Sequence, residues 1–268
     1  MAFIDIGKNI DIYFSEGNPG GEIPVLFCHG SGGSSSHWKF QRRVSGKICS
    51  LAVDLPGHGR SGGSPEDTVF AYREALKTLV TRKNLAPLFM VGHSLGGAIV
   101  LDYARLYPGD LRGIILIATG ARLKVMPAIL DSFRKKEVFP EMLYFIYGEN
   151  AAPSLLEEAQ RELMETPPEV FYADFCACDC FDLMKKLSSI EVPALILVGR
   201  EDRLTPLKYS LFLNENLPDA ELAVLEEAGH MVMLEQPKKI NKYIRDFIFR
   251  QWKGQRKGAR QENGEQIS

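Results

Sequence analysis

Apolar residues along this chain follow two rhythms. Between residues 2 and 15 they alternate weakly with polar neighbours, as Ile4, Ile6, Ile10, Ile12 and Phe14. A Gly7-Lys8-Asn9 turn divides this stretch, which predicts an antiparallel hairpin. Farther on, short and mostly apolar runs fall at 25–28, 48–53, 88–91, 114–118, 194–198 and 222–225. Runs of this length predict strands buried on both faces of a parallel sheet.

Helical spacing fills the gaps. Val69, Tyr72, Leu76 and Leu79 mark a helix in 66–83, and Ile99, Val100, Tyr103 and Leu106 mark one in 94–107. Ile240, Tyr243, Ile244, Phe247 and Ile248 mark a third in 238–252. Strand and helix alternating in this order predict an α/β fold, doubly wound, with helices on both sheet faces.

One stretch breaks the alternation. Residues 121–187 carry no strand-like run, only amphipathic pieces punctuated by Pro127, Pro140, Pro153, Pro167 and Pro168. The expectation is a helical cap, inserted between core segments 1–120 and 188–252 and lying over the sheet's C-terminal edge. Residues 253–268 are polar with almost no apolar member, which predicts a disordered tail.

Composition narrows the partners. A formal net charge of -2 gives no basic field or stripe, so neither nucleic acid nor an acidic membrane surface is expected. No apolar run approaches the roughly 20 residues of a membrane span. The first residues lack a basic, then apolar, secretory pattern. Cys28 and Cys49 sit in or beside strand-like runs as small hydrophobes, and a reducing cytoplasm is the expected setting.

The strongest chemical signal is Gly92-His93-Ser94-Leu95-Gly96, after one apolar run and before a helix. In that context the serine occupies a sharp strand-to-helix turn, and glycines leave room for the backbone. Ser94 is the expected nucleophile; otherwise it merely caps the helix. A serine hydroxyl needs a base. Of five histidines, His29 and His93 adjoin glycine-rich turns, His58 lies in a turn after a strand, and His37 packs beside Trp38. His230 follows the last strand and emerges at the same sheet edge as Ser94, so it is the expected base.

The orienting acid should lie between them. Asp202 in Gly199-Arg200-Glu201-Asp202 is preferred over Glu201, with Thr205 expected to cap the helix that Pro206 opens. An oxyanion would be held by the backbone N–H of Leu95 and of Ser31, the latter in the loop His29-Gly30-Ser31-Gly32-Gly33. That loop lacks the pattern of a phosphate-binding loop. Cys176, Cys178 and Cys180 cannot share one helix face, so no metal site is expected there.

Taken in order, His29-Gly30, Asp54-Leu55-Pro56-Gly57-His58-Gly59-Arg60-Ser61, the Ser94 motif, Gly199 to Asp202 and Gly229-His230 closely resemble the α/β-hydrolase superfamily. The resemblance spans residues 1–252. It implies an eight-stranded, mostly parallel sheet, a cap after the sixth strand, and hydrolysis without metal or organic cofactor. Within the family the chain looks most like small carboxylesterases and enol-lactonases. Dehalogenases and most epoxide hydrolases of this fold carry aspartate where Ser94 stands. A related lyase has tyrosine and arginine where this chain has His93 and Ala98. The expected substrate is a small to medium apolar ester. Lactone hydrolysis, lyase chemistry and a silent receptor are the alternatives. Met126, Phe133, Phe139, Leu143, Phe145, Phe171 and Phe175 either line an acyl pocket or form the cap's own core.

Overall fold

Leu88, Phe89, Met90 and Val91 are all fully buried, and the sheet is arranged around the strand they form. The computed structural model describes residues 2–7 and 9–264. Its strands are β1 (Ala2–Asp5), β2 (Asp11–Gly17), β3 (Ile23–Cys28), β4 (Ile48–Val53), β5 (Leu88–His93), β6 (Leu111–Ile117), β7 (Ala194–Gly199) and β8 (Ala220–Leu225). They form one eight-stranded sheet in the order β1-β2-β4-β3-β5-β6-β7-β8. β1 and β2 pair antiparallel as the predicted hairpin, and β2 is antiparallel to β4. Every other pairing is parallel.

Side chains on a strand point alternately to its two faces, and here both faces are covered. Leu88 and Met90 face the cluster that holds Leu76 and Leu79 of α1 (Val69–Arg82) and Ile99 of α2 (Leu95–Leu106). Phe89 and Val91 face Ile240, Ile244 and Phe247 of α9 (Pro237–Gly264). This explains why the run reads as unbroken apolar sequence rather than as alternation. Each fully covered side chain of this kind contributes about 1.5–3 kcal/mol, which favours β5 at the centre over the edge. Edge strand β8 is only partly buried at most positions.

Between β6 and β7 the chain makes α3 (Pro127–Arg134), α4 (Leu143–Ile146), α5 (Pro153–Glu165) and α6 (Pro168–Cys180). The prolines that interrupt the pattern open three of these helices, where a missing N–H costs nothing. Ile129, Phe133, Met142, Leu163 and Phe171 form a separate small core among them. Two short helices complete the chain, α7 (Leu207–Asn216) and α8 (Val232–Glu235).

Two expectations are corrected here. Helix α9 does not stop near residue 252 but runs to Gly264, so the predicted disordered tail from 253 is helical over most of its length. Residue types such as Lys, Arg, Gln and Glu favour a helix even where almost none is apolar. Residues 265–268 lie outside the described residues, as does Lys8 of the hairpin turn. Thr205 does not cap α7 either, since Pro206 holds that position.

Candidate active site

Ser94 joins β5 to α2 with φ 53° and ψ -118°, a backbone conformation that L-residues rarely adopt. Such a residue holds on the order of 1–3 kcal/mol of strain, and its surroundings must enforce it. They do so by close approach. A Cβ on Gly92 would lie 2.3 Å from the Gly96 carbonyl oxygen, and one on Gly96 would lie 2.3 Å from that of Cys28. The Ser94 N–H donates to the Ile117 carbonyl at 3.0 Å, and the Thr119 hydroxyl donates to the Ser94 carbonyl at 2.8 Å. Leu95, next in sequence, opens α2, where N–H groups lack intrahelical partners.

Asp202 lies in the turn after β7, and His230 lies between β8 and α8. His230 Nδ1 is 2.9 Å from Asp202 Oδ2, and both residues are buried. The other acceptor positions of Asp202 are taken as well. The Leu204 and Thr205 N–H groups donate to Oδ1 at 2.9 and 2.8 Å, and the Thr205 hydroxyl donates to Oδ2 at 2.7 Å. A carboxylate so surrounded by donors can only accept, which places the proton of neutral His230 on Nδ1 and leaves Nε2 basic. Burial pushes the Asp202 carboxyl up. The charge and hydrogen bond of His230, with both bonds from Thr205, outweigh that and hold it below its ordinary value. Glu201 is elsewhere, accepting the Glu149 N–H at 2.7 Å.

The His230 loop rests on the inserted segment through backbone atoms. The His230 N–H donates to the Ile146 carbonyl at 2.7 Å. Glu235 accepts the N–H of Gly148 at 2.9 Å and that of Gly229 at 3.0 Å. A Cβ on Gly229 would lie 2.5 Å from the Gly148 nitrogen, so the two strips of chain lie flat against each other.

Ser31 sits in the glycine loop after β3. The loop is closed by the Gly33 N–H donating to the Gly30 carbonyl at 3.1 Å. His29 braces it: Nδ1 donates to the Gly30 carbonyl at 2.8 Å, and Nε2 accepts the Leu55 N–H at 3.0 Å. Burial keeps the His29 pKa well below the usual imidazole range, in keeping with that neutral form. His93 is likewise buried and held neutral, mainly by desolvation, with Nε2 donating to the His230 carbonyl at 3.0 Å.

Ser31, Ser94 and His230 line one cavity of about 230 Å³. Asp202 stands behind His230, and the Leu95 side chain is in the core. Of the apolar residues named from sequence, Met126, Leu143, Phe145, Phe171 and Phe175 line the cavity. Phe133 belongs to the insertion's own core, and Phe139 packs against it. Cys178 also lines the cavity, 3.7 Å from the Ser31 hydroxyl, its thiol pushed up by burial to about 12. Cys180 is exposed, so the three cysteines do not converge. Among the described residues no group of three or more His, Cys, Asp or Glu could hold a metal ion.

Sequence reasoning missed three polar residues near the cavity. Thr205 is the first, and its spacing three residues after Asp202 is that of a local side-chain-to-backbone turn. Glu162 of α5 meets His37 at 3.0 Å, and Asp174 of α6 meets His58 at 2.9 Å. Neither pair carries a local signal, because more than a hundred residues separate the partners.

Fold and Ser94 turn together define an α/β hydrolase by class. The model of the alpha/beta hydrolase family matches residues 25–242, and the chain belongs to that family. Among solved structures it is similar to a thermophilic esterase, at 33% identity and TM-score 0.82, over 93% of this chain and 97% of that one. Among curated proteins it is similar to a 2-hydroxy-6-oxononadienedioate/2-hydroxy-6-oxononatrienedioate hydrolase of Pseudomonas sp, at 26% identity over 92% of this chain and 96% of that protein. The enol-lactonase from Burkholderia xenovorans LB400 shares the fold with TM-score 0.86 at 20% identity, over 92% and 100% of the two chains. Among the described residues no helix is long and apolar enough to cross a membrane.

Proposed function

We propose that this protein is a serine hydrolase that cleaves carboxylic esters of small to medium apolar substrates through an acyl-enzyme. One observation carries the reading: Asp202 fixes His230 in the tautomer with a basic Nε2, in the cavity that holds the strained Ser94. Ser94 Oγ attacks the ester carbonyl while His230 Nε2 takes its proton. The carbonyl oxygen gains the charge and is held by the N–H groups of Ser31 and Leu95. On collapse the C–O bond to the alcohol breaks, and His230 returns its proton to the leaving oxygen. Water then attacks the acyl-enzyme with the same base.

The helices α3 to α6 act as a cap whose side chains select the acyl group. A cavity of about 230 Å³ falls short of the roughly 300–1,000 Å³ of drug-sized pockets, so short acyl chains fit best. A second reading takes an acidic substrate, as the name of the Pseudomonas relative states of that protein. Lys124 and Arg203 line the cavity and would receive it, but each is already paired, with Asp179 and Glu149. The apolar wall therefore favours the ester. The free thiols suit a reducing compartment such as the cytoplasm.

The test is hydrolysis of p-nitrophenyl esters from acetate to decanoate by the parent chain and Ser94→Ala. Turnover that peaks at short chains and falls by at least about 10⁴ in the variant supports the reading. A parent inactive on every ester yet labelled at Ser94 by a fluorophosphonate would move the reading to a lactonase or lyase. No turnover and no label would leave a receptor.

A further inference from the structure

The proline-glycine-histidine turn at 56–58 has no part in the chemistry above, and helix α6 enters it only through the side chains it lends to the cavity wall, yet the two meet directly behind the glycine loop. We propose that Asp174 is a positioning residue for the oxyanion loop, setting the Ser31–Gly32 peptide and through it the Ser31 N–H. The proposal rests on the serine-hydrolase reading.

Turn 30–33 has Gly32 in third place with φ +64°, the mark of a type II turn. Type I and type II turns differ by reversal of their central peptide, here the one joining Ser31 to Gly32. Asp174 Oδ2 accepts that peptide's N–H at 2.8 Å. The Thr166 hydroxyl, also from the insertion, lies 3.4 Å from the Gly32 carbonyl oxygen. The Phe171 ring fills the space a Gly32 Cβ would need, 2.0 Å away. Phe171, Asp174 and Cys178 share one face of α6, and that face forms the back wall of the loop.

Asp174 is itself held. It is fully buried, with the Tyr72 hydroxyl donating to Oδ1 at 2.5 Å and His58 Nε2 2.9 Å from Oδ2. His58 Nδ1 is 3.0 Å from the Pro56 carbonyl, which can only accept. With a carboxylate at its other nitrogen, His58 donates twice and is an imidazolium. Burial pulls its pKa down, but the charge and hydrogen bond of Asp174 and the Pro56 carbonyl raise it above the ordinary value. The other groups facing it are Asp54, the neutral His29 ring at 4.9 Å and the Tyr72 ring at 6.0 Å. The cation neutralises the buried carboxylate without taking the lone pair that Gly32 uses.

The experiment compares the full-length parent with Asp174→Asn, Tyr72→Phe and Ser94→Ala. It reads kcat and KM on p-nitrophenyl butyrate and the rate at which a fluorophosphonate labels Ser94. An amide cannot present an oxygen to Gly32 and still balance the His58 charge. Asp174→Asn should lose on the order of 10–100-fold in kcat, less than the ~10²–10³ of deleting a donor outright. KM should stay within about threefold, and labelling should slow with kcat. Tyr72→Phe removes the bond to the other carboxylate oxygen and the acceptor of the Glu66 N–H, neither of which touches Gly32, and should stay within about threefold on both counts.

A folded Asp174→Asn that turns over and labels within about threefold of the parent overturns the proposal. So does a Tyr72→Phe that slows equally, because Asp174 would then be an anchor for α6 and nothing more. In the parent, the Gly32 amide proton should resonate downfield and exchange slowly. An ordinary shift with fast exchange overturns the proposal even if Asp174→Asn does not fold. A parent never labelled at Ser94 overturns the hydrolase reading instead, and the Gly32 amide still reports whether Asp174 holds the loop.

Discussion

Asp202 meets His230 at 2.9 Å, and Asp174 meets His58 at the same distance. Both aspartates are buried, yet the two histidines are set to different tasks by their surroundings. The difference lies at the far nitrogen. Nε2 of His230 has the cavity before it, whereas Nδ1 of His58 donates to the Pro56 carbonyl. One ring keeps a nitrogen with no fixed acceptor before it, and the other has an acceptor at each nitrogen. The aspartates differ in reach as well. Asp202 collects its other donors from Leu204 and Thr205, two and three residues on. Asp174 collects Gly32, His58 and Tyr72 from distant parts of the chain. On the proposed reading, the same pair of residue types makes a base or a structural ion according to what the second nitrogen finds.

The sharpest way to break this comparison is Asp202→Asn. An amide NH2 facing Nδ1 favours the tautomer with the proton on Nε2, and ester turnover should fall by about 10⁴ with the fold retained. A loss below tenfold would show that His230 does not depend on this partner. The counterpart is His58→Leu, which leaves the Asp174 charge buried without its cation. It should lower stability by roughly 3–5 kcal/mol, read from the urea midpoint. A midpoint unchanged would mean that the pair is not ionised.

A pH series separates the two pairs further. The His58 pKa is raised on folding, so its contribution is complete below about 6.5 and is lost as pH rises through the folded value. The Asp202 pKa is lowered, so its contribution is present above the ordinary value near 3.8 and is lost as pH falls through the folded value. The melting temperature should therefore decline on both sides of a plateau. His58→Gln should flatten the alkaline side alone, and an unchanged profile would contradict the imidazolium. The smallest effect is expected from Thr205→Val, which removes one hydroxyl donor from Asp202. It should lower kcat about three- to tenfold, and an Asp202-like loss would promote Thr205 to a larger role.

Legibility in the sequence follows the same division between near and far. The sheet could be read because β3, β5 and β7 are buried on both faces, and such strands are continuous apolar runs. The Ser94 turn could be read because its glycines stand at fixed spacing around the serine, between an apolar run and a helix, although the contact that demands Gly96 comes from Cys28, far away in sequence. His230 and Asp202 could be placed at one edge because loops after parallel strands share it. Thr205 was misjudged: a threonine before proline fits a helix cap equally well, and only the fold shows which oxygen it meets. Asp174, Glu162 and the use of His58 were out of reach. Their partners come together only when α5 and α6 fold back over the sheet, and nothing in their own neighbourhoods marks them. The end of α9 escapes the apolar pattern for another reason: its residues are polar, and helix propensity alone marks them.

The seam between the insertion and the His230 loop is made largely of main-chain atoms on the insertion's side. The Ile146 carbonyl and the N–H group of Gly148 would be there whatever side chains the rest of the segment carried. On the proposed reading of the insertion as a cap, anyone recombining this protein with a relative can rewrite much of its lettering without disturbing this seam. Its length at 146–148 is another matter. A single added or deleted residue would shift the strip on which His230 rests, so libraries should keep the count there, and Gly148 with it, since a Cβ at that position would lie 3.0 Å from the Gly229 nitrogen.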